Sequence, residues 1–189
     1  MGTLFSFAVM DALRGLEFPS HSFDLANIRY VESWIRTSYW PKLLQEMQRV
    51  SKPGGVIRLT EGNFVQTTSP VFDRLNQLLI QAFYGAGHYF APEQSGMTTH
   101  LAELLQQHGV LRVQTRTHTF ESRADTPAGQ ELAEDMRLGY RTVEPFIRAF
   151  AQVPDDYEDI YQQMVVEMQA PDCVTTWRVL TAWGTTPQG

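Results

Sequence analysis

An α/β architecture with a parallel crossover near its start is predicted by three features of this 189-residue sequence. Short apolar runs rich in Phe, Val and Ile alternate with stretches whose apolar residues recur at helical spacing. The run "WPKLLQEMQRV" at 40–50 is closed by Lys52-Pro53-Gly54-Gly55 and followed at once by the apolar "VIRLT" of 56–60. Strand, helix, glycine turn and strand in that order make a βαβ unit, whose two strands run parallel and connect right-handedly.

In chain order, "LFSFAVM" at 4–10 is expected to be a buried strand, with Asp11 at its end. "SFDLANIRYV" at 22–31 is a second strand. Pro41 suits the first turn of the next helix, and Leu43, Leu44, Met47 and Val50 fall on one face. Ser69 and Pro70 open a helix at 69–83, the first as N-cap and the second at a position needing no N–H. A loop, "GAGHYFAPEQSG", covers 85–96, and a short helix at 97–109 ends on Gly109. "VLRVQTRTHTFES" at 110–122 alternates as a strand does. Helices are expected at 127–151 and 155–169, and "CVTTWRVLTAWGT" at 173–185 is the last strand. The length fits a single domain spanning 1–189, with helical insertions at about 69–96 and 127–170.

Composition limits the functions. A net charge of -6 with Lys and Arg scattered argues against nucleic acid as a partner. Cys173 is the lone cysteine, so no intrachain disulfide or cysteine metal cluster is expected, and a cytoplasmic setting fits. The five histidines stand at no metal-ligand spacing, and neither G-x-S-x-G nor H-E-x-x-H occurs. The first apolar run has no basic residue before it and meets Asp11, so neither a signal peptide nor a membrane span is expected.

In an open parallel sheet, ligands bind beyond the carboxyl ends of the strands. Asp11, the Asn27–Tyr30 stretch and the Glu61–Asn63 stretch all lie at such ends. One polar group at each of three neighbouring strand ends suits a small-molecule site.

These residues carry a family resemblance. "FAVMDALRGLEFPSHSFDLANIRYV" followed by "WPKLLQEMQRVSKPGGVIRLTEGNF" resembles the middle of a class I S-adenosylmethionine-dependent methyltransferase of the small-molecule type. "HLAELLQQHGVLRVQ" and "TTWRVLTAWGTTP" are similar to its later helix–strand unit and closing strand. The resemblance implies a Rossmann-like sheet with helices on both faces, strand order 3-2-1-4-5-7-6, and methyl transfer to a small-molecule acceptor. It implies S-adenosylmethionine as cofactor, with Asp11 accepting the adenine amino group and the Ala12 backbone amide reaching the ring. Ile28 and Arg29 match the strand end facing the methionine portion. Tyr30 and the 61–63 stretch, Asn63 included, would lie near the acceptor. Apart from the resemblance, Tyr89 of the aromatic loop is read either as a wall of that pocket or as core, and Glu61 or His88 are candidate general bases.

One part of the family pattern is not in this sequence. The sole G-x-G is Gly85-Ala86-Gly87, after a helix rather than after a first strand. The expected sheet is therefore truncated at its N-terminal side, without its first two strands. That leaves the edge of "DLANI" open, and a homodimer through this edge is the expected assembly. A non-catalytic, methyltransferase-like binding or interaction module is the alternative reading.

Overall fold

The computed structural model describes residues 6–188. Its sheet contains β1 (Phe23–Arg29), β2 (Ser51–Gly62), β3 (Gln66–Thr67), β4 (Leu111–Arg123) and β5 (Val174–Thr185). The helices are α1 (Trp40–Val50), α2 (Pro70–Gly85), α3 (Leu101–Gln107), α4 (Pro127–Phe150) and α5 (Tyr157–Glu167).

β1 and β2 are parallel, as the crossover demands, and α1 connects them. Their register jumps between Phe23↔Ser51 and Leu25↔Val56, so the Lys-Pro-Gly-Gly run bulges out of the ladder. Gly54 has φ +74, a backbone state that glycine reaches without steric cost. β5 then runs antiparallel to both β2 and β4 and lies between them. The order β1-β2-β5-β4 is the 4-5-7-6 portion of the sheet that the resemblance implies. The fold is Rossmann-like α/β.

The expected strand at 4–10 is not borne out where it is described. Residues 6–10 form no strand and Phe7 is 98 % exposed; Leu4 and Phe5 lie outside the described residues. The reason is lateral. A strand is held by a hydrogen-bonded neighbour, and the implied sheet order places two further strands between this segment and β1. Among the described residues β1 pairs with β2 alone, so its outer edge is open.

Two apolar clusters hold the chain. In the first, Trp40, Leu43, Leu44 and Met47 of α1 and Leu101, Leu104 and Leu105 of α3 pack against Ile57, Leu59 and Ala182 of the sheet. Fully burying each such side chain contributes about 1.5–3 kcal/mol before entropy is counted. The second cluster joins α2, α4 and α5 through Phe72, Leu75, Tyr140, Ile147, Ile160 and Met164. It roofs the carboxyl-end side of β2 and β3. Among the described residues no helix is long and apolar enough to cross a membrane.

Candidate functional site

The carboxyl ends of β1 and β2 are tied by one side chain. Glu61 accepts the Val31 backbone N–H at 3.0 Å through Oε1 while being completely buried. Its Oε2 is buried without a hydrogen-bond partner. Burial pushes the Glu61 carboxyl up to about 7, against the backbone N–H groups that favour its charged form.

Glu32, the next residue after Val31, sits beside it. Glu32 Oε2 accepts the Met97 N–H at 3.2 Å, and the Tyr89 hydroxyl lies alongside. Burial first, and the neighbouring Glu61 second, push the Glu32 carboxyl up to about 8. Gly96, at φ +54, makes room for this arrangement: a Cβ there would stand 3.2 Å from Glu32 Oε2.

A cavity of about 270 Å³ opens next to Glu32, between the strand ends and the α2–α4 roof. Its polar lining is mostly engaged within the protein. Tyr140 donates to Asn76 Oδ1 at 2.6 Å, and Asn76 donates to the Val65 carbonyl at 2.6 Å. Asn63 Oδ1 accepts the Thr98 hydroxyl at 2.6 Å, while the Asn63 carbonyl accepts the Trp177 indole N–H at 3.1 Å. Gly62 permits that last contact, because a Cβ would fall 2.6 Å from Trp177 Nε1.

The other expected residues are placed as follows. Tyr30 leaves β1 at φ +53 and stacks on Trp177 with ring centroids 5.8 Å apart. A non-glycine residue in that state is uncommon and is held here by the Tyr30 N–H to the Thr60 carbonyl. Arg29 stands over the Tyr30 ring at 5.2 Å, and Ile28 packs into the first cluster. Asp11 is half exposed, paired with Arg14 at 3.3 Å and accepting the Leu13 N–H. Ala12 lines a second cavity of about 230 Å³ with Leu16, Phe18 and Ile28. The loop carrying them is pinned by Arg49, which donates to the Leu16 and Phe18 carbonyls, and by Glu46, which accepts the Leu16 N–H.

His88, expected as a candidate base, is not brought to the cavity. It is buried with Nδ1 against the Ile35 carbonyl at 3.1 Å and its ring edge-on to Phe83. Tyr89 is brought in, through Glu32. Sequence reasoning passed over Glu32. Its signal was its position, an acidic residue directly after an apolar strand end.

The comparisons with known proteins bear on the same stretch. A family model described as a methyltransferase domain matches residues 2–59, from the loop of Asp11 through most of β2. No curated protein matches the chain. Among solved structures, the phosphoethanolamine N-methyltransferase 2 of Haemonchus contortus is 20% identical, with TM-score 0.43 over 95% of this chain and 37% of that one. A Bacillus halodurans protein assigned as a methyltransferase is 17% identical, with TM-score 0.47 over 94% of this chain and 70% of that one. The [4+2]-cyclase SpnF is 19% identical, with TM-score 0.43 over 97% of this chain and 56% of that one. The chain thus spans little more than a third of the Haemonchus enzyme.

For S-adenosylmethionine, the group that a methyltransferase-domain match implies, this stretch offers residues compatible with one flank. The apolar cavity under Ala12 and Ile28, with the Asp11 carboxylate near it in the chain, suits a flat base bearing an amino group. The glycine-rich turn that would bring backbone against the rest of the cofactor is not in this sequence.

Proposed function

We propose that this chain takes part in S-adenosylmethionine-dependent methyl transfer to a small-molecule acceptor. The observation that carries the reading is the methyltransferase-domain match over 2–59, which ends where the buried Glu61 side of the strand ends begins. When bound, the cofactor supplies an electrophilic methyl group on sulfur.

The chain's own residues supply position and dryness. Asp11, the Ala12 amide, Ile28 and Arg29 hold the cofactor flank, and the 270 Å³ cavity takes the acceptor between Asn63, Tyr140 and Glu32. Tyr30 stacks on Trp177, which lines the acceptor cavity. Alignment of this kind supplies several kcal/mol of rate acceleration without a metal or a covalent enzyme intermediate. Glu61, buried and already bonded to Val31, does not line the cavity and acts on the site by raising the neighbouring Glu32 carboxyl. That leaves Glu32 as the carboxyl placed to take a proton from the acceptor.

A second copy of the chain pairs along the open β1 edge in this reading. It would cover the unpaired backbone there and the half-exposed Leu25. A cytoplasmic setting belongs to the same reading. The second reading, a binding module without catalysis, is favoured by His88, a candidate base, being packed against the Ile35 carbonyl and away from the cavity. Calorimetric titration with S-adenosylmethionine separates them: saturable binding weakened by Asp11→Ala supports the enzyme, and none at millimolar cofactor supports the module.

A further inference from the structure

We propose that the cavity beside Glu32 is a binding site for an organic ammonium, an amine with a compact apolar body, and that the Glu32–Glu61 pair is its recognition element. The inference rests on the proposed function only in naming this cavity the acceptor pocket; the recognition itself needs no cofactor.

Four observations carry it. The cavity, at about 270 Å³, is large enough for a ring or short chain, and its walls are mainly apolar, with Phe64, Leu79, Met136 and Val143 among them. Of its neutral polar side chains, Tyr140 and Asn76 are bonded to each other, Asn76 also donates to the Val65 carbonyl, and Asn63 Oδ1 is taken by Thr98. The charged group on the wall is a carboxylate, and no Lys, Arg or His is among the lining residues. Behind Glu32 stands a second carboxylate, Glu61, fully buried, with one oxygen lacking any hydrogen-bond partner.

Two neighbouring carboxyl groups in a largely buried setting do not both ionise at modest cost. Left alone, the pair holds a proton near neutral pH, in keeping with carboxyls raised to about 8 and about 7. A cation delivered to Glu32 removes the repulsion and gives the pair a charge-assisted hydrogen bond. The proton is then released to solvent. A neutral ligand of the same shape has no such effect. The groups facing Glu32 are Glu61 from β2, Tyr89 from the loop after α2, the Met97 N–H, and across the cavity Tyr140 from α4. None of them carries positive charge to compete with the ammonium.

The test is calorimetry on the purified chain without S-adenosylmethionine, using benzylamine and phenethylamine against benzyl alcohol and phenethyl alcohol. Expected at pH 7.5 is at least tenfold tighter binding of each amine than of its alcohol. A fraction of a proton should be released per amine bound, read from buffers of different ionisation enthalpy, and the release should shrink as pH rises from 6.5 to 8.5, where the amines themselves remain charged. Glu32→Gln, checked for folding by circular dichroism, should cost the amines at least tenfold and leave the alcohols unchanged. Glu61→Gln should keep amine binding but release less proton, which keeps the inference testable should Glu32→Gln fail to fold. Alcohols binding as well as amines, no saturable amine binding at 20 mM, or amine affinity indifferent to Glu32→Gln would each overturn it. Failure of cofactor binding, measured separately, would leave this result standing, and the reverse holds too.

Discussion

Glu61 at the end of β2 accepts the Val31 N–H just beyond β1 at 3.0 Å, and this contact fixes where the two parallel strands open into the site. The contact is made by a buried carboxyl, not by backbone. The geometry of the strand ends is therefore linked to protonation, and Glu32 is carried with it on the adjacent residue.

That linkage has a sign. In the unfolded chain both carboxyls ionise near 4.5, whereas in the fold Glu32 titrates near 8 and Glu61 near 7. Between those limits the native state binds more protons than the unfolded one, so stability falls as pH rises from about 5 to 8. Glu32→Gln should be more stable than the parent at pH 8 by about 1–2 kcal/mol, allowing for screening at this partly exposed group. The two should converge at pH 5. Urea unfolding at both values checks this, and a difference larger at pH 5 would contradict it.

The roof over the acceptor cavity depends on the Tyr140–Asn76 hydrogen bond between α4 and α2. Tyr140→Phe leaves the buried Asn76 Oδ1 without its donor and should cost about 1–3 kcal/mol. Asn76→Leu in the Tyr140→Phe background should add less than Asn76→Leu alone, and a double-mutant cycle reads the coupling.

Gly129 sets how α4 starts. Its N–H is capped by Thr126 Oγ1 at 3.1 Å, and a Cβ on it would stand 1.9 Å from the Arg123 carbonyl at the end of β4. Gly129→Ala gains helix propensity of about 1 kcal/mol but forces the β4–α4 turn apart, and should destabilise by about 1–3 kcal/mol net. A rise in melting temperature would show that the turn yields more readily than this.

If a second copy pairs along β1, sedimentation equilibrium should show a dimer at micromolar concentration, and Leu25→Lys should shift it to monomer. A wild-type chain that is monomeric at 100 µM would remove the edge pairing from the account.

Much of the sheet was legible because its determinants are local. Pro41, the spacing of Leu43 to Val50 and the Lys-Pro-Gly-Gly stop define α1 and β2 within twenty residues, and the parallel pairing follows from topology. Residues 6–10 of the expected strand form none because the apolar pattern is local while the pairing is not; no described strand lies where it needs one. In the site, strand-end position singled out Glu61 and Asn63 and the aromatic loop singled out Tyr89; the structure puts Asn63 on the cavity wall and Glu61 and Tyr89 next to Glu32. Glu32 was missed, and His88 overvalued, because burial decides both: the chain buries one beside a second carboxyl and packs the other among aromatic rings.

Residues 2–59 are proposed to supply one flank of a cofactor site. The most direct measurement is calorimetric titration of the purified chain with S-adenosylmethionine, alongside Asp11→Ala. The account predicts saturable binding that Asp11→Ala weakens about tenfold, the loss of one hydrogen bond to a charged group. No heat of binding up to 5 mM cofactor, with the chain folded, would contradict it.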